Sequence, residues 1–143
     1  MHWGYKWFAN LTWDSPGYFI TEGYDTCKDR SNMTACWDLP QIKTYARTYN
    51  KAVAGHVLNF TFDPTTLVAK LDYVIAPDCK LPTVIFFSEE FHYTNGVPIV
   101  TIEPANAASW TYSEKDHITI THNEPILPIN LTVTLSPAQA SII

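Results

Sequence analysis

From His56 onward one pattern dominates the chain: short runs in which every second residue is apolar, each run closed by a turn-forming residue. Candidate strands lie at 56–62, 67–75, 83–88, 97–102, 109–113, 117–122 and 129–135. Between them stand Asp63-Pro64, Pro77-Asp78, Asn95-Gly96, Pro104, Lys115-Asp116 and Pro125. A strand turns successive side chains to opposite faces, so a period of two buries one face and wets the other. Proline removes a backbone donor, and Asn-Gly accepts the positive φ of a tight turn. Strands of this length and spacing predict a mainly β fold, an antiparallel β-sandwich. Ten Pro against five Gly leave few long helices possible.

The first third reads differently. Residues 1–8 form a short strand candidate with aromatics at alternate positions, Trp3, Tyr5 and Trp7. Residues 9–37 are an irregular loop rich in Trp and Tyr, and loops this long usually carry function. Residues 39–49 read as one helix, with Asp38 as N-cap, Pro40 in the first turn and an apolar stripe of Leu39, Ile42, Ala46 and Tyr49. Residues 50–55 are a connector ending at Gly55. Such a strand-loop-helix unit cannot bury a core alone, so the chain divides into 1–50 and a sandwich domain over 51–143. A natural N-terminus rarely opens on strand-like core material, and further sequence upstream of Met1 is expected. Residues 1–19 have no basic start, apolar stretch or small-residue cleavage site, so no signal peptide is expected within them.

Composition narrows the classes of function. The formal net charge is −5 and the isoelectric point about 5.4. Phosphate backbones select for basic patches, so no nucleic acid is expected as a partner. No apolar run approaches the ~20 residues of a membrane span. The five His and three Cys stand without ligand spacing, so neither a metal nor another cofactor is expected.

Asn-x-Ser/Thr, the acceptor triplet for N-linked glycosylation, occurs at Asn10, Asn32, Asn59 and Asn130, and all four are expected to carry glycans. With 8 Asn and 24 Ser or Thr in 143 residues, chance supplies about one such triplet. Leu58, Phe60 and Phe62 are predicted to share one strand face, with Asn59 and Thr61 on the other. Leu131, Val133 and Leu135 likewise oppose Asn130 and Thr132. Cys27 and Cys36 flank a short polar stretch, and a disulfide between them suits an oxidising compartment. Cys79 is then left over. These features point to the secretory pathway.

Few residues suggest chemistry. Glu89-Glu90 is the adjacent acid pair; placed at a strand end, its carboxylates point to opposite faces and cannot share a substrate. His92 lacks a neighbouring nucleophile in sequence and reads as a packed sandwich histidine.

Several stretches resemble endoglycoceramidases, secreted enzymes of glycoside hydrolase family 5 with a TIM barrel followed by a β-sandwich. Arg47-Thr48-Tyr49-Asn50-Lys51-Ala52-Val53-Ala54-Gly55 is similar to that family's R-x-Y-P-Q-A-V-A-G junction, with Asn50-Lys51 in place of Pro-Gln. Met1-His2-Trp3-Gly4-Tyr5-Lys6 is similar to the last barrel strand. Pro82-Thr83-Val84-Ile85-Phe86 and His92-Tyr93 resemble sandwich elements, with Thr94 in place of the family's Pro. Ser109-Trp110-Thr111-Tyr112 falls where an aromatic pair is common. The resemblance implies that residues 1–50 are the last strand, loop and helix of a TIM barrel. It also implies a secreted or lysosomal parent that cleaves the oligosaccharide–ceramide bond of glycosphingolipids with retention. Both catalytic Glu would lie upstream of Met1, so no catalytic residue is expected here. Trp3 would offer an apolar face to a sugar ring at the barrel's C-terminal end, with Tyr5 and Lys6 adding hydrogen bonds. Arg47 and Tyr49 would tie the helix to the sandwich. The implied partners are the glycosphingolipid substrate, transiently a lipid surface, and the missing N-terminal barrel. The alternative is a non-catalytic glycan- or lipid-binding β-sandwich module, which has no need of a barrel strand at residues 1–6.

Overall fold

The computed structural model describes residues 39–77, 79–123 and 128–138. The chain divides into two compact units, Met1–Tyr45 and Ala46–Ile143. In the first, the described residues form one helix, α1 (Leu39–Tyr45). Pro40 sits in its first turn, where a missing N–H breaks no bond. The predicted helix over 39–49 therefore stops early. Thr48 and Tyr49, β-branched and aromatic, favour extended backbone instead. Much of the expected connector is a strand, β1 (Tyr49–Ala52).

The second unit continues with β2 (Gly55–Asp63), β3 (Val68–Ile75), β4 (Thr83–Phe86), β5 (Ile99–Glu103), β6 (Ala108–Glu114), β7 (His117–His122) and β8 (Asn130–Ser136). Two four-stranded sheets result, in the orders β1-β4-β7-β6 and β2-β3-β8-β5, with every pairing antiparallel. The predicted antiparallel sandwich is the observed fold. No described helix is long and apolar enough to cross a membrane.

The central strands alternate most strictly. β3 buries Ala69, Leu71, Tyr73 and Ile75, and β8 buries Leu131, Val133 and Leu135. Leu71 stands opposite Val133 and Tyr73 opposite Leu131. In the other sheet Ile85 of β4 lies opposite Ile118 of β7, both fully buried. These residues form one apolar core with Phe87, Tyr93 and Ile102. Each large apolar side chain so buried contributes ~1.5–3 kcal/mol relative to exposure.

The edge strand β2 departs from the expected pattern. Phe60 and Phe62 pack against the core, but Leu58 is 55% exposed. The register shifts between Val57 and Asn59, so Leu58 is the extra residue of a bulge and leaves the face of its neighbours. Asn59 and Thr61 point to water as predicted.

At the foot of β2, Asp63 organises the turn. Its Oδ1 accepts from the Thr65 N–H at 2.8 Å, and its Oδ2 from the Thr66 hydroxyl at 2.9 Å. Bonds that favour the anion hold this carboxyl below its ordinary value. Leu67 follows with φ 58°, the left-handed region.

Gly55 opens β2 where two backbones meet. A Cβ there would fall 1.9 Å from the Val74 carbonyl oxygen. Relief requires β2 to move off β3, so Gly55→Ala is expected to destabilise the chain by at least ~2 kcal/mol. A urea denaturation midpoint equal to that of the parent chain would contradict this.

Candidate functional site

Trp3, Tyr5 and Lys6, expected to contact a sugar, lie outside the described residues, as do Asn10, Asn32, Cys27 and Cys36. The four other residues singled out for chemistry, Glu89, Glu90, His92 and Cys79, are described. Cys79 is half-buried with a free thiol. His92 packs edge-on against Phe62, with ring centroids 5.5 Å apart. Glu89-Glu90 is not a strand end but part of the turn after β4, with Glu89 half-buried and Glu90 exposed.

The junction stretch draws together several motif residues. The chain leaves β1 in one sheet and enters β2 in the other through Val53 and Ala54. Ala54 is buried; its N–H donates to Thr83 Oγ1 at 3.0 Å, and its carbonyl accepts from the Ala76 N–H at 3.2 Å. The Thr83 hydroxyl in turn bonds Tyr73, whose hydroxyl lies 2.5 Å from His122 Nε2. Donors and acceptors all balance if Tyr73 donates to a neutral imidazole. Burial pushes the Tyr73 phenol up to about 12 and holds His122 below its ordinary value. A polar chain thus runs Ala54–Thr83–Tyr73–His122 through an apolar core.

A second chain centres on Tyr93. Thr48 Oγ1 donates to its hydroxyl at 3.3 Å, and that hydroxyl donates to the Leu67 carbonyl at 2.7 Å. Thr48 leads into β1 of one sheet, while Leu67 belongs to the β2–β3 turn of the other, so one phenol links both. The Tyr93 ring meets Phe87 edge-on at 5.4 Å. Ser88 sets the loop that delivers Tyr93: its carbonyl accepts from the N–H groups of His92 and Tyr93. Burial raises the Tyr93 phenol above its ordinary value.

A third cluster joins the β6–β7 turn to the segment after β4. Asp116, with φ 63°, accepts from the Phe87 N–H at its carbonyl and from the Glu89 N–H at Oδ1, 2.9 and 3.0 Å. The Tyr112 hydroxyl donates to Glu89 Oε1, and that carboxylate raises the Tyr112 phenol.

Retaining glycoside hydrolysis needs two carboxyl groups ~5–5.5 Å apart across a sugar bond. Glu89 and Asp116 are neighbours, yet each accepts a bond that holds a turn or a strand end. Among the described residues no His, Cys, Asp and Glu cluster is placed to hold a metal ion. What the arrangement does is hold two sheets in register. Sequence reasoning missed Tyr73 and Tyr93 as its anchors. The signal existed for Tyr73, which shares the apolar parity of Leu71 and Ile75, because a buried phenol must find a partner.

Comparison with known proteins returns one domain family and a set of related enzymes. Residues 47–134 match the glycoside hydrolase family 5 C-terminal domain. Over 96 residues the chain is 35% identical to an endoglycoceramidase of Cyanea nozakii, covering 66% of this chain and 18% of that protein. Endo-glycoceramidase II from Rhodococcus sp., solved with ganglioside GM3, shares the fold at 22% identity and a TM-score of 0.53 over 70% of this chain and 20% of its own. The same enzyme has been solved as a lactosyl-enzyme intermediate. Cryptococcus neoformans sterylglucosidase 1 shares the fold at 13% identity, with a TM-score of 0.55 over 67% of this chain and 14% of its own. The chain thus spans about a fifth of the length of the endoglycoceramidases it matches.

Two outcomes follow from the tyrosine-anchored chains. Tyr93→Phe leaves the Leu67 carbonyl short of its donor and the buried Thr48 hydroxyl short of its acceptor, and is expected to cost ~1–3 kcal/mol, read from a urea midpoint; no change would show that the phenol bridges nothing. The pH dependence has two limbs. Below about 6.5 the unfolded chain binds a proton at residue 122 that the folded one refuses, so stability falls as pH falls until the lowered folded value is passed. Above pH 10 the unfolded Tyr73 ionises while the folded one keeps its proton, so stability falls as pH rises toward about 12. His122→Gln should make the acid limb shallower and Tyr73→Phe the alkaline one, where the raised Tyr93 phenol keeps its own share, both read from urea midpoints across pH.

Proposed function

The chain belongs to the glycoside hydrolase family 5 C-terminal domain family, and from that premise we propose that it is the C-terminal part of a secreted or lysosomal endoglycoceramidase-like hydrolase. The observation that carries this reading is the 35% identity to the Cyanea endoglycoceramidase over 96 residues. The parent cleaves the bond between oligosaccharide and ceramide in glycosphingolipids. The lactosyl-enzyme intermediate of the Rhodococcus enzyme supports a retaining course, because a covalent glycosyl-enzyme is the mark of that mechanism.

In this reading the work divides between modules. An upstream barrel supplies the acid/base and nucleophile glutamates. The segment up to Tyr45 completes that barrel, with Trp3 stacking on a sugar ring and Tyr5 and Lys6 bonding its hydroxyls. Cys27 and Cys36 close the loop between them as a disulfide. The sandwich is the structural end piece, and its polar chains are spent on its own register. The glycolipid is met at a lipid surface.

The test separates the pieces. Purified chain incubated with a fluorescent glycosphingolipid is expected to release no ceramide above a heat-treated control. Loss of the catalytic pair forfeits an enhancement of at least ~10⁶. The product translated in frame from the transcript upstream of Met1, joined to this chain, is expected to release it. Ceramide release by the chain alone, or an upstream frame without a barrel, would overturn the proposal.

A further inference from the structure

Two of the four glycosylation triplets fall on described strands, and the sheet register brings them together. Asn59 on β2 stands opposite Asp72 of β3, and Asp72 stands opposite Thr132 of β8. Asn130 is one step along the same face, opposite Val74. Asn59 and Asn130 therefore flank β3 on one face of the β2-β3-β8-β5 sheet, two strands apart and offset by two residues, a separation of roughly 12 Å. Both are exposed, and so is Thr61 of the first triplet. The face between them is polar around Asp72: Lys70 pairs with Asp72 at 3.4 Å, and Thr132 Oγ1 donates to Asp72 Oδ1 at 2.6 Å, while Val74 lies opposite Asn130.

The bulge at Leu58 matters here. The shift between Val57 and Asn59 fixes Asn59 on the parity of Asp72 and Thr132. The opposite parity of β2 carries Phe60 and Phe62 against the core. A one-residue slip would turn Asn59 inward and both phenylalanines to water, so packing itself holds the amide outward.

We propose that Asn59 and Asn130 both carry N-linked glycans and that the outer face of this sheet is a glycan-covered solvent face of the whole protein. The proposal rests on the secretory reading above. In the transfer, the Asn amide nitrogen forms a bond to the anomeric carbon of a lipid-linked oligosaccharide diphosphate. The carbon–oxygen bond to the diphosphate breaks, the lipid diphosphate leaves, and the amide nitrogen gives up one proton. Two bulky hydrated chains ~12 Å apart exclude another protein layer from the polar rows between them. A neighbouring module must then meet the sandwich elsewhere.

The experiment directs the full chain into the secretory pathway of cultured animal cells behind a heterologous signal peptide. Occupancy is read by peptide mapping after peptide-N-glycosidase treatment in heavy-oxygen water. Both asparagines are expected to be converted to labelled Asp, and both glycans released under native conditions. Asn59→Gln and Asn130→Gln should each lower the glycan count by one. Should either fail to be secreted, Thr61→Ala must remove the glycan at Asn59 alone, and Thr132→Ser must keep the one at Asn130. An unoccupied site in secreted protein, or glycans released only after denaturation, would overturn the proposal. If the directed chain is occupied but the native protein carries no N-glycan, the secretory reading fails instead, and with it the claim for the native protein.

Discussion

Between Ala52 and Gly55 the chain leaves one sheet and enters the other, and each backbone group that quits a ladder there needs a new partner. Ala54 meets this demand on both sides, through the Thr83 hydroxyl and the Ala76 amide. Ala54 is almost wholly enclosed, and at the next position not even a methyl fits. The glycine that ends Val53-Ala54-Gly55 thus has a mechanical cause. Unpartnered, those groups would cost ~1–3 kcal/mol each, a large share of a small domain's net stability.

Around that crossing the polar chains act as spacers between apolar layers. Tyr73 and Tyr93 each place a ring in the core and a hydroxyl at its margin, so burial and hydrogen bonding come from the same residue. The two sheets are consequently joined by direction-dependent bonds as well as by dispersion. Apolar packing alone tolerates sliding; a phenol that must reach both Thr48 and Leu67 does not.

How much of this could be read beforehand depends on which forces are local. The alternation of Leu71, Tyr73 and Ile75, and of Leu131, Val133 and Leu135, is local and announced the central strands. The outward placement of Asn59 and Asn130 followed from the same parity. Three features escaped. β1 begins at Tyr49, inside the predicted helix, and there the Tyr49 ring stacks on Phe86, 37 positions away, at a centroid distance of 4.9 Å. Leu58 leaves its face because of a register shift against β3 that no spacing in β2 declares. Glu89 turns to Tyr112 because Asp116 captures its amide. Each is decided by a partner distant in sequence. The resemblance motifs carried the rest: Ala54, Gly55, Thr83 and Tyr93 were conspicuous as a pattern before their bonds supplied the reason.

The order in which strands appear along the chain has a consequence for synthesis. Successive strands change sheets five times, and β8, the last of them, sits at the centre of its sheet between β3 and β5. Until β8 leaves the ribosome, β3 has a partner on one side only and β5 has none. At translation rates of ~5–20 residues per second, the stretch from Asn59 to Asn130 takes on the order of ten seconds. For that interval the nascent sandwich is an incomplete sheet with its apolar rows open, and any modifying enzyme or chaperone that acts on extended chain works inside that window.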